Sequence, residues 1–339
     1  MERPSEKQLP GMVAALLSDL DPPEQAQQRQ RLGNVSYEAV VSGQSDLLSG
    51  LFCRWVSDEW VAVQWSHRLQ GQSAVVGQPC LLRTDARSAF IKEATPPKDQ
   101  VASELIEQTC QWLDRSGVVM SQLVLEEARP THVDLWEQFG FGHLVDLVYV
   151  VSDLSRSGQR AGDDLGEEAG PAESAWDFEL VAPQDQVNRW CSILDATYAG
   201  TLDCPELNGR RSTRDTLIGY RETATFLSDG WWIVRQPAVA NLSPATDAAC
   251  VIMAEHPESE LVELIYLGVA PEFRKRGLGK QILKEIQSFC KRKHRSKILA
   301  AVDQRNLPAL KLYRNAGFNA AAKRTVWARF YRPGEGDMG

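Results

Sequence analysis

Between Leu267 and Ile286 the chain reads LGVAPEFRKRGLGKQILKEI. Arg274, Lys275, Arg276 and Lys280 surround Gly277 and Gly279, and an apolar-periodic run follows at once. That order suits an anion. Glycines let the backbone approach a ligand with no Cβ in the way. The first N–H groups of a helix lack partners, and the helix dipole favours negative charge there. A diphosphate is the natural occupant. Two common diphosphate signatures are excluded: G-x-G-x-x-G needs a third glycine where Ile282 stands, and G-x-x-x-x-G-K-[ST] needs glycine at Arg274 and Ser or Thr at Gln281. Taken alone, R-x-x-G-x-G fits a solvated basic turn equally well.

The elements around the loop favour a ligand. A strand pattern, Glu260 to Val269, runs into it. A helix runs out of it from about Leu278 to Arg292, with Leu278, Ile282, Ile286 and Phe289 on one face. Before these come strand-like WDFELV (176–181), a helix ending on Gly200, a loop TLDCPELNGRRS, a helix around 213–225, and strands at 231–234 and 249–255. After them come a buried strand, KILAAV (297–302), and a helix capped by Asn306 that tolerates Pro308 in its first turn and stops at Gly317. A last strand, RTVWARFYR, closes the series. The order β-α-α-β-β-β-α-β-α-β is a mixed α/β layer around a twisted sheet.

A second constellation, VDQRNLPALKLYRNAGF (302–318), follows the loop. Together the two segments resemble the GNAT N-acetyltransferase superfamily. Its coenzyme A loop, [QR]-x-x-G-x-[GA], corresponds to Arg274-Lys275-Arg276-Gly277-Leu278-Gly279, after a strand ending in Val269-Ala270-Pro271. Its later segment corresponds to Asn306, Ala309, Leu312-Tyr313 and Gly317-Phe318. The resemblance is strong over about 260–318; the rest of the second half agrees in element order only.

The resemblance implies that the fourth and fifth strands part and that acetyl-CoA, as cosubstrate, lies in the gap. Backbone N–H groups from Arg274 to Lys280 would cradle its pyrophosphate, with Asn306 helping to order the site. Backbone groups of Leu267 and Val269 would pair with the pantetheine arm, and the Leu267 N–H would face the thioester oxygen. Glu263, six residues before Val269, stands where some members carry the base that deprotonates the amine; Glu260, His256 and Asp303 are rivals. Tyr313 corresponds to the tyrosine that often protonates the departing thiolate. The loop with Asp203, Glu206 and Asn208 would wall the acceptor side and meet a cationic or polar acceptor. Cys204 reads as a buried structural thiol, since the direct transfer needs no acyl-enzyme. The implied activity is acetyl transfer from acetyl-CoA to an amine of a small molecule or protein through a tetrahedral intermediate. The alternative is a non-catalytic acyl-CoA-binding regulatory or interaction protein.

The first half carries a fainter copy of the same order. Helical stretches at 11–20 and 23–32 precede strands at 51–56, 61–67 and 73–83, a helix over about 99–116 and a strand at 121–128. A helix containing LWEQFGF (135–141) and a strand at 144–151 follow. LWEQFGF and LYRNAGF (312–318) share the frame Leu-aromatic-x-x-x-Gly-Phe before a final strand, which indicates duplication. The segment in the loop's place, EATPPKDQVASEL (93–105), has two prolines and no glycine, and Trp136 replaces the tyrosine. The expected fold is therefore α/β (mixed α+β) with two GNAT-like domains, each a twisted mixed sheet flanked by helices. Residues 1–151 form a degenerate one, 152–175 an acidic linker, and 176–339 the acetyl-CoA-binding one, with the two domains packed on each other.

The linker, 152–175, has six acids against two arginines and almost no large apolar residue, too little to offset ordering entropy. The 339 residues suffice for two domains, and a net charge of −8 argues against nucleic-acid binding. Seven cysteines without a C-x-x-C pair argue against a zinc ribbon; no metal is expected, and reduced thiols indicate the cytoplasm. The apolar segment near the N-terminus is too short to span a bilayer, so neither signal peptide, anchor nor membrane partner is expected.

Overall fold

The computed structural model describes residues 51–56, 59–81, 97–126, 132–155, 176–221, 224–238, 244–256 and 259–331. The helices expected at 11–20 and 23–32 and most of the acidic linker lie outside them. The chain divides into two compact units: residues 1–143 with 326–339, and residues 144–325.

In the first unit β1 (Leu51–Val56) pairs antiparallel with β2 (Glu59–Leu69), which pairs with β3 (Ser73–Val76) and, to one side, β4 (Cys80–Leu81). Helix α1 (Lys98–Asp114) crosses to β5 (Met120–Glu126), parallel to β3. The apolar spacing of α1 buries Ile106, Cys110 and Leu113 against Ala74, Val76, Leu123 and Trp136. Trp136 lies on the short helix α2 (Val133–Gln138), and β6 (Gly142–Asp153) follows.

The second unit contains β7 (Asp177–Leu180), α3 (Val187–Tyr198), α4 (Thr213–Arg221), β8 (Thr225–Gln236), β9 (Thr246–His256) and β10 (Leu261–Val269). Then come α5 (Leu278–Arg292), β11 (Lys297–Asp303), α6 (Leu307–Asn315) and β12 (Asn319–Phe330). Strands β7 to β10 are antiparallel neighbours, and β10 pairs with β11 in parallel. Strand β9 is buried from Ala248 to Ala254 because both its faces are covered. Ala249, Val251 and Met253 meet Leu278, Ile282, Ile286 and Phe289 of α5. Cys250 and Ile252 meet Trp190, Ile193 and Leu194 of α3 and Leu217 of α4. Each buried Leu or Ile of these helix faces contributes about 1.5–3 kcal/mol.

The units divide elsewhere than composition suggested. Strand β6 from Leu147 to Asp153 pairs antiparallel with β11 across its whole length, and Leu154 is buried, its N–H donating to Ser296 O at 2.8 Å. Residues 144–154 therefore belong to the second unit, although the acidic segment separates them from it in sequence. The order there is β7-β8-β9-β10-β11-β6-β12. Thr325 Oγ1 donates to Asp146 Oδ1 at 2.9 Å, joining β12 to β6. The physical reason is that Val148 and Val150 alternate into the same core as Ile298, Ala300 and Val302, which an edge left at β11 would expose. The last part of β12, from Val326, belongs to the first unit, where Tyr331 N donates to Val119 O.

Candidate active site

Strands β10 and β11 stay together for three residue pairs, Leu261↔Lys297, Val262↔Ile298 and Glu263↔Leu299, and then part. Strand β10 continues against β9 as far as Val269↔Ala249, so its other edge is unpaired from Leu264 onward. A β-bulge at Ile265 accompanies the parting. Gly268 allows the tight packing behind it, since a Cβ there would meet Thr197 Cβ at 2.6 Å and the Tyr266 ring at 2.7 Å. The result is a cavity of about 590 Å³, with Leu264–Val269 on one side and Ala301 and Val302 on the other. Its size and apolar walls suit a small organic ligand.

One end of the cavity is the start of α5. Gly277 is its N-cap in the left-handed region (φ +80°), Lys275 is also left-handed (φ +60°), and Lys280 N and Gln281 N both bond to Gly277 O. The donors before them have no carbonyl a turn earlier to bond. Lys275, Gly277, Leu278, Gly279 and Lys280 all line the cavity. Arg276 does not; its guanidinium lies over the Phe273 ring, 5.5 Å from the centroid.

Arg274 has a different task from the one its charge suggested. Its N–H closes a turn onto Pro271 O. Its side chain donates to Val269 O (2.9 Å), Gly200 O (3.1 Å) and Thr197 O (2.9 Å). It therefore clamps the end of β10 to the C-terminus of α3, where a cation complements the dipole.

The other end is built by α6. Asn306 caps it, its Oδ1 accepting from Ala309 N at 3.2 Å, and lines the cavity beside Tyr313. Phe318 N bonds to Tyr313 O and Gly317 N (φ +86°) to Arg314 O, which fixes the end of the helix. The Tyr313 ring is buried edge-on against Phe318, and burial, with the charge of Asp203 adding to it, pushes its phenol up.

Asp203 reaches the cavity from the loop after α3. Its Oδ1 accepts the Asp303 N–H at 3.0 Å, and Asp303 Oδ2 accepts the Cys204 N–H at 3.1 Å. This reciprocal pair pins the loop to the end of β11. Glu206 strengthens it through a bidentate pair with Arg305, which also bonds Asp303. Burial works against the charge of Asp303, but hydrogen bonds from the Arg305 side chain and from the N–H groups of Arg305 and Cys204 outweigh it and hold the carboxyl low. Burial and the neighbouring Asp303 charge instead push Asp203 up, against hydrogen bonds from Asp303 N–H and Asn306. Cys204, half-buried, is pushed up to about 12, first by burial and then by the charges of Asp203 and Asp303.

Glu263 stands outside the cavity lining. Alternation puts it on the face opposite Val262 and Leu264, and its Oε2 is 2.8 Å from His256 Nε2. Glu260 is exposed in a left-handed turn, and Asp303 is fully buried behind Asp203. Asn208 ends the short 3-10 turn after Cys204. Sequence reasoning did not single out Thr197, Tyr266 and Gly268; a glycine within an apolar strand was the one visible signal.

A parallel strand pair that opens in front of a helix N-terminus, with a capped helix closing the far end, defines a GNAT-type acetyltransferase fold. Residues 222–318 match the model of the acetyltransferase (GNAT) family. The structure is similar to that of a GCN5-related N-acetyltransferase from Sphaerobacter thermophilus (TM-score 0.58, 15% identity, covering 98% of this chain and 96% of that one). It also matches an acetyltransferase from the GNAT family from Colwellia psychrerythraea (TM-score 0.46, 13% identity, 97% and 98% covered). A tandem GNAT protein from the clavulanic acid biosynthesis pathway, without AcCoA, matches with TM-score 0.45 and 12% identity over 84% of this chain and 83% of that one. At 15% identity the likeness to the Sphaerobacter thermophilus protein concerns the fold. No curated protein sequence matches. Among the described residues no helix is long and apolar enough to cross a membrane, and no group of His, Cys, Asp or Glu is arranged to hold a metal ion.

Proposed function

We propose that the second unit transfers an acetyl group from acetyl-CoA to an amine. The observation that carries this reading is the parting of β10 from β11 directly in front of the N-terminus of α5. The residues there fit the cosubstrate. The diphosphate suits the N–H groups around Gly277, Leu278 and Gly279, with Lys275 and Lys280 adding charge. The amides of the pantetheine arm suit the unpaired edge of β10 at Leu267 and Val269, with Asn306 facing them across the cavity. In this reading the Leu267 N–H stabilises the oxyanion, and the Tyr313 hydroxyl delivers a proton to the departing thiolate. Glu263, the base that the resemblance implies, is held by His256 outside the cavity.

Calorimetry with acetyl-CoA and coenzyme A, followed by thiol release in the presence of a panel of amines, tests the proposal. Binding with amine-dependent release of thiol is expected. Absence of binding sinks it, and binding without release for any amine leaves a non-catalytic acyl-CoA-binding protein.

A further inference from the structure

Asp203 is the one carboxylate among the residues that line the cavity. The other charged groups there, Arg274, Lys275 and Lys280, are cations belonging to the segment at the start of α5. Asp203 is held in place rather than free to swing. Its N–H donates to Thr201 Oγ1 at 3.1 Å, and its carboxylate accepts from the Asp303 N–H and from the Asn306 side chain. A carboxylate offers about four acceptor sites, so this anchoring leaves capacity for a ligand.

We propose that Asp203 receives the acceptor: its carboxylate holds the substrate's ammonium group and takes the proton that must leave before attack. The inference rests on the acetyl-transfer reading and deepens it by naming the acceptor class, a protonated primary amine. The ammonium gives one proton to Asp203. The freed lone pair attacks the thioester carbon, forming the C–N bond and an oxyanion that the Leu267 N–H meets, and the C–S bond breaks as that intermediate collapses. A second nitrogen-bound proton ends on the departing sulfur, relayed by the Tyr313 hydroxyl, and Asp203 then returns its proton to solvent. Amide and free thiol result, with one proton released.

The surroundings suit that task. Asp303 on β11 and Asp203 on the loop are adjacent carboxyls whose environments push them in opposite directions, Asp303 down and Asp203 up. Such a divided pair separates a fixed anion from a proton acceptor. The remaining groups that face Asp203 do not compete near neutrality. Tyr220 of α4 and Cys204 are each pushed up to about 12, and Tyr266 of β10 and Tyr313 of α6 are pushed up as well, all chiefly by burial. Arg305 stays cationic, and Glu206, bonded to it, is held low.

The test measures kcat/KM against pH for wild type, Asp203→Asn, Asp203→Ser and Glu263→Gln. The acceptors are simple alkylamines, polyamines, amino acids and a lysine peptide, and acetyl-CoA affinity is measured alongside. Asn keeps the acceptor for the Asp303 N–H, and Ser is a smaller second variant should Asn perturb folding. Both Asp203 variants are expected to lose about 100-fold or more in kcat/KM. Both should bind acetyl-CoA within about twofold of wild type, and the acid limb should move up in pH toward the acceptor amine's own titration. Retention of activity in both variants, or an unchanged acid limb, overturns the proposal, above all if Glu263→Gln alone abolishes turnover. Acetyl-CoA binding without turnover of any panel amine also overturns it, while leaving the donor site standing. Absence of acetyl-CoA binding to the wild type is the separate failure of the underlying reading.

Discussion

In the first unit β3 keeps its parallel partner β5 for all four of its residues, whereas in the second unit β10 keeps β11 for three of nine. The helices that follow differ in the same sense. Helix α1 starts from Pro97, in an extended conformation and with no N–H to offer; α5 starts from Gly277 in the left-handed region with its donors exposed to the cavity. Yet the two units share one local device. Phe141 N bonds to Trp136 O and Gly140 N to Glu137 O, just as Phe318 N bonds to Tyr313 O and Gly317 N to Arg314 O. Each glycine is left-handed, and each aromatic pair meets edge-on, at 4.9 Å for Trp136–Phe141 and 5.2 Å for Tyr313–Phe318. The frame that ends the helix is a folding device common to both; among the described residues, the opened strand pair and the glycine loop belong to the second unit.

Trp136 and Tyr313 give the sharpest test of that division. Trp136 is 1% exposed, and Trp136→Ala should cost about 3–5 kcal/mol, read by denaturant unfolding, with the acetyl-CoA affinity of the folded fraction unchanged. Tyr313→Phe keeps the buried ring and should alter stability by less than about 1 kcal/mol while slowing thiol release about tenfold or more. A Tyr313→Phe variant with full activity would put the two aromatics back into one structural class.

The paired glycines follow. Gly140→Ala and Gly317→Ala should each cost about 1 kcal/mol, because both positions have positive φ and neither meets a clash. A Cβ at Gly140 finds only the Arg329 side chain at 3.7 Å, and one at Gly317 finds nothing within 4 Å. Markedly unequal losses in melting experiments would show that the shared frame carries unequal load.

The smallest effect concerns Asp203. Its carboxyl is pushed up by burial, so the unfolded chain releases the proton more readily than the native one. Stability therefore falls as pH rises from the unfolded value through the folded one, and the deficit persists above it. Asp203→Asn should accordingly be slightly more stable than wild type at neutral pH, with the difference vanishing in acid. Glu179 and Asp303 run the other way, since their carboxyls are held low. Their contribution is present above the unfolded value and is lost as pH falls through the folded one. Unfolding curves at several pH values read both signs.

Much of the site was legible in the residues. The apolar spacing placed α5 at Leu278–Arg292, the glycines marked its approach, and Asn306 did cap α6. Asp203 was visible only as a polar residue in a loop facing the acceptor. That it is the cavity's carboxylate depends on its bond to Asp303, a hundred residues away. Arg274 read as a charge for an anion, since nothing in the sequence shows that three carbonyls from two segments converge on it.

Sequence alone determined the elements whose causes are local: helix faces from spacing, helix ends from caps and left-handed glycines, and strand order along the chain. Tertiary structure alone decided that β6 joins β11 across an intervening acidic segment, that β10 leaves β11 after Glu263, and that Asp203 rather than Glu263 lines the cavity. The reason is physical. Helix bonds close within four residues, whereas strand pairing and loop anchoring join residues that only the folded chain brings together.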